Sequence, residues 1–136
     1  MGNGPAGGDV SQEAPYGRQK VVYHINSSDA SLLRNALGNI HNHIKAVGRE
    51  NIEIRVVIHG DGVDLLRILN LDGSLQSRIT DLKNQSVGFG VCSNTLRAKQ
   101  IDYQVELFDV HEADIVPSGV AELAKLQQEG YAYIKP

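Results

Sequence analysis

The sequence has no tryptophan, one cysteine, one methionine and two phenylalanines in 136 residues. A single cysteine excludes an intrachain disulfide, an internal CxxC redox pair and any zinc site built from several cysteines. No apolar run approaches the ~18 residues that a membrane span requires. There is no excess of basic residues either. Lys and Arg number 13 against 16 Asp and Glu, a net charge of −3. A protein that grips nucleic acid by broad phosphate neutralisation needs the opposite balance. GxGxxG and GxxxxGK[ST] are both absent, so nothing points to a dinucleotide or a nucleoside triphosphate. Neither a cofactor nor a metal is expected. His41 and His43, two apart on a helix, face different directions and do not chelate one ion. His111, Glu112 and Asp114 read as a solvated loop.

What remains is ordinary globular chain, 41% apolar and 21% charged, of a length typical of one domain. Residues 1–19 read as a disordered lead-in. The first 18 hold five of the 14 glycines and two of the four prolines, and lack hydrophobic periodicity. They also lack the basic and apolar regions of a secretory signal. A cytoplasmic location is therefore expected. The alternative is the periplasm, should an export signal have been removed.

Residues 20–136 read as one α/β domain. Lys20–Asn26 is β-branched and apolar, a first strand. Leu33, Leu37, Ile40, Ile44 and Val47 are spaced by three and four, which places them on one helix face. Gly48 stands where a glycine ends such a helix. Ile52–Ile58 is a second strand, ending at His59-Gly60-Asp61-Gly62. A short helix is expected with Val63, Leu66 and Leu69 in register, and another with Leu75, Ile79 and Leu82. Ser86–Val91 is a third strand, followed by Cys92-Ser93-Asn94-Thr95 at a helix start. Lys99–Val110 fits either a strand or a short helix with a loop. Ala113–Val116 reads as a short buried strand. Val120, Leu123 and Gln127 mark a helix stopped by Gly130, and Tyr131–Lys135 is the last strand.

This alternation implies right-handed βαβ units. The expected fold is a mostly parallel five-stranded sheet with helices on both faces, flavodoxin-like in size. In such folds ligands collect at the carboxyl ends of the strands. Asn26, His59, Cys92 and Ser118 are all expected along that edge.

Cys92 leads the candidate chemistry. A thiol between a strand and a helix start meets unpaired backbone N–H groups that favour thiolate. Thiolate is the form that attacks sulfur electrophiles. The bland alternative is a small buried apolar residue. His59 is a candidate proton partner for the thiol, and the glycines after it, Gly60 first, let backbone approach a ligand closely. The alternative is a histidine held by a structural hydrogen bond. Ser93, Asn94 and Thr95 offer caps or donors to a bound anion. Asn26, Ser118 and Gly119 are individually explained by turns; their convergence on one edge is what marks them. His24 reads as a sheet residue under a helix or at a subunit contact.

Three stretches, V-C-S-N-T-L-R-A at 91–98, D-I-V-P-S-G-V-A-E-L at 114–123 and E-G-Y-A-Y-I-K-P at 129–136, resemble the DsrE/DsrF-like (DsrEFH) family. V-x-H-G-x-G-V-x-L-L at 57–66 fits the same pattern. The resemblance implies a five-stranded parallel α/β fold and sulfur-relay chemistry. It places the persulfide-carrying cysteine of better-known members, just after the third strand, at Cys92. It also implies a homo-oligomer, trimer or hexamer, and sulfur donor and acceptor proteins as partners. Three other classes stay open: a binding module for a small anion or metabolite with Cys92 in its wall, an oligomeric scaffold with an inert cysteine, and an enzyme with His59 as its base.

Overall fold

The computed structural model describes residues 15–136. Residues 1–14 of the expected lead-in lie outside that range. The elements are β1 (Gln19–Ile25), α1 (Ala30–Val47), β2 (Ile52–Ile58), α2 (Gly73–Asn84), β3 (Gly88–Cys92), α3 (Ser93–Lys99), α4 (Tyr103–Glu106), β4 (Ile115–Val116), α5 (Gly119–Gln128) and β5 (Ala132–Ile134). The five strands form one sheet in the order β4-β3-β2-β1-β5. Every pairing is parallel. The expected fold class therefore stands.

The sheet divides the core in two. Side chains alternate across a strand, so Val21, Tyr23 and Ile25 of β1 share a face with Ile54, Val56 and Ile58 of β2. The expected stripe of α1 (Leu33, Leu37, Ile40, Ile44) and Leu75, Ile79 and Leu82 of α2 close over that face. Asp29 caps α1 by accepting from the N–H of Ser31 at 2.9 Å, a contact worth about 1 kcal/mol. The other face is thinner. There Val22 and Val57 cluster with Leu123 and Leu126 of α5 and with Tyr131.

Two expected registers shift. Val63 and Leu66 are buried, but Leu69 is 97% exposed. The segment winds as 3-10 turns, Gly60–Leu66 and Ile68–Asn70, broken at Arg67 with ψ 133. An α-helical spacing does not survive that break. On α5 the buried positions are Gly119, Leu123 and Leu126, whereas Val120 is 65% exposed and Gln127 faces out. The apolar face lies one residue round from the expected one. The ambiguous region resolves as α4 plus an isolated antiparallel bridge between Arg67 and Leu107. The expected strand over 113–116 shortens to Ile115–Val116 after a 3-10 turn at Glu112–Asp114.

β3 carries glycines on the α5 side, and side chains of the neighbouring strands fill the space they leave. A β-carbon at Gly88 would stand 2.8 Å from Arg55 Nε, and one at Gly90 would stand 3.4 Å from Val116 Cγ1. Arg55 reaches Glu122 of α5 at 3.7 Å. The alternating glycines are thus a packing feature. Among the described residues, no helix is long and apolar enough to cross a membrane.

Candidate functional site

Register builds the site. Ile58 of β2 pairs with Val91 of β3, so His59 and Cys92 each follow by one residue on neighbouring strands. Strands lie about 4.8 Å apart, and both side chains leave the sheet on the α5 face. His24 of β1 pairs with Val57 and points the same way, and Tyr133 of β5 pairs with Val22, two residues before it. Tyr133, His24, His59 and Cys92 therefore form a row across four strands at their carboxyl ends.

Cys92 is 5% exposed and occupies the N-cap position of α3. Its sulfur makes no close capping hydrogen bond. Donors nonetheless surround it. Burial alone pushes the thiol up, but the Thr95 hydroxyl and the N–H groups of Gly119, Thr95 and Asn94 outweigh burial and hold it below its ordinary value. The donors come from two separate elements, α3 and the first residue of α5. Thr95 is itself oriented, since its Oγ1 accepts from the Gly60 N–H at 2.8 Å. With its oxygen so engaged, the hydroxyl proton is free to turn to the sulfur. Gly60 reaches this position with φ +58, a left-handed conformation that a glycine adopts without strain.

Gly119 joins the two halves of the site. Its N–H serves Cys92, while its bare Cα accommodates the His59 side chain, whose Cβ, Cγ and Cδ2 would stand 2.8–3.2 Å from a β-carbon there. Ser118 keeps this helix start in place by accepting from the Ala121 N–H at 3.1 Å.

The two histidines meet directly. His24 Nε2 and His59 Nε2 are 2.7 Å apart. The rings are within 11° of parallel, and their centroids are 4.8 Å apart. Face-to-face stacking does not fit both distances. The nitrogens must lie near the line joining the centroids, so the rings meet edge to edge in a hydrogen bond. His24 Nδ1 is in turn 2.5 Å from the Tyr133 hydroxyl. Burial, with the nearby His59 and Lys135, pulls His24 down from 6.5 to about 4. Burial and Lys135 lower His59 as well. Both rings are neutral near pH 7.

The remaining expected residues divide. Ser93 Oγ accepts from Arg97 Nη1 at 3.2 Å, and Asn94 Oδ1 accepts from Arg97 Nη2. Their side chains are turned along α3, and only the Asn94 amide serves the sulfur. Asn26 is exposed beyond β1, its Cα beneath Gly62, on the far side of His59 from the thiol. His111 is exposed and pairs with Asp109 at 2.7 Å. Among the described residues, no three His, Cys, Asp or Glu side chains gather as a metal site. Sequence reasoning missed Tyr133 and the role of His24. Their signal was alternation, because Val22 and His24 share one face of β1 and Tyr131 and Tyr133 one face of β5.

The DsrE/DsrF-like family model matches residues 8–136. The chain belongs to that family. Among solved structures, it is similar to a protein of unknown function, MTH1491 from Methanobacterium thermoautotrophicum, at 36% identity and a TM-score of 0.73, over 87% of this chain and 99% of that one. The ychN protein from E. coli shares the fold at 20% identity and a TM-score of 0.61, with the same coverage. No curated protein matches the chain. Cys92 is the last residue of the third strand, where the expected run Ser86–Val91 places it one residue beyond.

Proposed function

We propose that this DsrE/DsrF-like protein carries sulfane sulfur as a persulfide on Cys92. The observation that carries the reading is the donor set around one sulfur, drawn from α3 and from the start of α5, which favours the thiolate despite burial. In the uptake step the thiolate attacks the outer sulfur of a donor R–S–SH. The donor S–S bond breaks as a new one forms at Cys92, and R–S⁻ leaves. Nothing is oxidised or reduced overall, and no cofactor takes part. A persulfide anion at the same place meets the same donors. Discharge is the reverse exchange with an acceptor thiol on a partner protein.

The family resemblance also carries a homo-oligomer, trimer or hexamer, into this reading. Sedimentation at micromolar concentration should give a mass of three or six protomers. With Cys92 only 5% exposed in the single chain, a second reading has an observation of its own: an inert cysteine in the wall of an anion- or metabolite-binding site. Intact-protein mass spectrometry after incubation with polysulfide separates the two. Carrier function requires a gain of one sulfur that a thiol reductant removes and that Cys92→Ser lacks. A thiol silent to polysulfide and to alkylation until the protein unfolds favours the second reading.

A further inference from the structure

We propose that Tyr133, His24 and His59 form a proton relay that protonates the leaving thiolate when Cys92 takes up sulfur, and accepts a proton from the incoming thiol when Cys92 gives it up. The inference rests on the carrier reading and assigns the acid–base half of the same site.

The geometry supplies a continuous hydrogen-bonded path from Tyr133 to His59. The Tyr133 hydroxyl lies on a residue 43% exposed and meets His24 Nδ1 at 2.5 Å. His24 Nε2 meets His59 Nε2 at 2.7 Å. His59 packs its Cβ, Cγ and Cδ2 against Gly119 and follows the strand next to that of Cys92, which leaves Nδ1 as the ring atom that we assign to a thiol exchanging sulfur there. His24 is 9% exposed, and its two ring nitrogens are both engaged within the chain. A buried imidazole needs a partner at each ring nitrogen, and for His24 both partners are themselves able to give and take a proton. Here both nitrogens are used, in line.

Two arrangements of hydrogens satisfy the path. In the first, Tyr133 donates to His24 Nδ1, His24 Nε2–H donates to His59 Nε2, and His59 carries its hydrogen on Nδ1. In the second, every donor and acceptor is exchanged: His59 Nε2–H donates to His24 Nε2, His24 Nδ1–H donates to Tyr133, and His59 Nδ1 bears a lone pair. Uptake takes the chain from the first to the second. His59 Nδ1–H protonates R–S⁻, each hydrogen moves one place inward, and water restores the Tyr133 hydroxyl. Discharge runs the other way. His59 Nδ1 takes the proton of the acceptor thiol, and one proton leaves at Tyr133 as the acceptor thiolate attacks the outer sulfur of Cys92–S–SH. One proton enters and one leaves per cycle.

The low proton affinity of the rings suits a relay. No imidazolium rests between them, so a proton passes through without being trapped. Lys135, the residue after β5, is the cation that biases both rings. The Arg55–Glu122 pair lies further down β2 on the α5 side.

The test uses the full chain, with Tyr133→Phe as the variant. Phenylalanine keeps the ring of a partly exposed residue and removes only the outer hydroxyl. Sulfur uptake from polysulfide is followed by rapid quench and intact mass across the pH range, in H₂O and D₂O. The variant should load to the same final extent but about tenfold more slowly at neutral pH, within the range of general acid–base effects, with the solvent isotope effect lost. The Cys92 thiolate absorbance should titrate as in the wild type, and the ¹⁵N signals of His24 should shift in tautomer. A variant that loads at the wild-type rate, with the same pH profile and isotope effect, overturns the relay alone. A wild type that loads no sulfur fails the carrier reading, and the relay falls with it.

Discussion

The side chain of His59 lies against the bare Cα of Gly119, so closely that a β-carbon on the glycine would stand 2.8 Å from His59 Cβ. Both atoms are near the backbone, so neither swings aside. This contact sets the height of the α5 start above the sheet, and with it the Gly119 N–H that faces Cys92. Gly119→Ala should therefore destabilise the fold by about 1–3 kcal/mol, the usual cost of overpacking, and slow alkylation of Cys92 in the folded protein. Gly73, which also opens a helix but has nothing near a β-carbon, is the control. Gly73→Ala should be neutral or slightly stabilising in the same urea titration.

Thr95 is the donor whose direction the fold fixes, since Gly60 N–H occupies its oxygen. Thr95→Val removes the hydroxyl and keeps the shape. It should raise the thiol and slow iodoacetamide modification at neutral pH by about three- to tenfold, as expected for one hydrogen bond to a charged group. Thr95→Ser should retain most of the rate. Equal rates in all three proteins would show that the backbone amides suffice.

His24 makes the fold sensitive to acid in a definite window. Its pKa falls from 6.5 in the unfolded chain to about 4 in the fold, so the unfolded state binds the extra proton first. The stability it contributes is whole above 6.5 and is lost as pH falls toward 4, by up to about 3 kcal/mol. Asp64 and Asp72, held below 3.8 by Arg67 and Lys99 and by the α2 amides respectively, lose their contribution at lower pH still. Urea titrations between pH 7 and pH 4 should show a slope that His24→Gln flattens. A slope unchanged in the variant would assign the acid sensitivity to other groups.

Gly62 carries the tightest backbone contact of the site's floor. A β-carbon there would stand 2.6 Å from the carbonyl oxygen of Ile25 and 3.1 Å from Asn26 Cα. Backbone cannot rotate away as a side chain can. Gly62→Ala should lift the 3-10 turn off β1 and cost more than Gly119→Ala, with a lower thermal midpoint as the readout.

The legible parts of this molecule were those written in a period. The five apolar positions read for α1, from Leu33 to Val47, recur every three or four residues, and all five are buried. β2 and β3 are short β-branched or apolar runs, and they pair as parallel neighbours. Cys92 and His59 were readable because a strand end followed by glycine or a cap places a side chain at the sheet edge. The 3-10 segment was not readable, because Leu66 and Leu69 keep helical spacing while Arg67 breaks the winding between them. The histidine pair was harder still. Nothing local marks His24, flanked by apolar residues, as the partner of a histidine 35 positions away. Strand order and register must be known before residues 133, 24, 59 and 92 fall into line.

That strand order has a consequence during synthesis. β1 is made first among the strands, yet its outer edge pairs with β5, where Val21 meets Ala132. Until the last strand emerges from the ribosome, β1 presents an open hydrogen-bonding edge with apolar neighbours, the kind of edge that recruits foreign strands. Closure across more than a hundred residues is also slow, as contacts of high sequence separation are. The nascent chain is thus vulnerable to misassociation until β5 has been made, and the tyrosine that completes the row at the sheet edge arrives with the segment that ends that exposure.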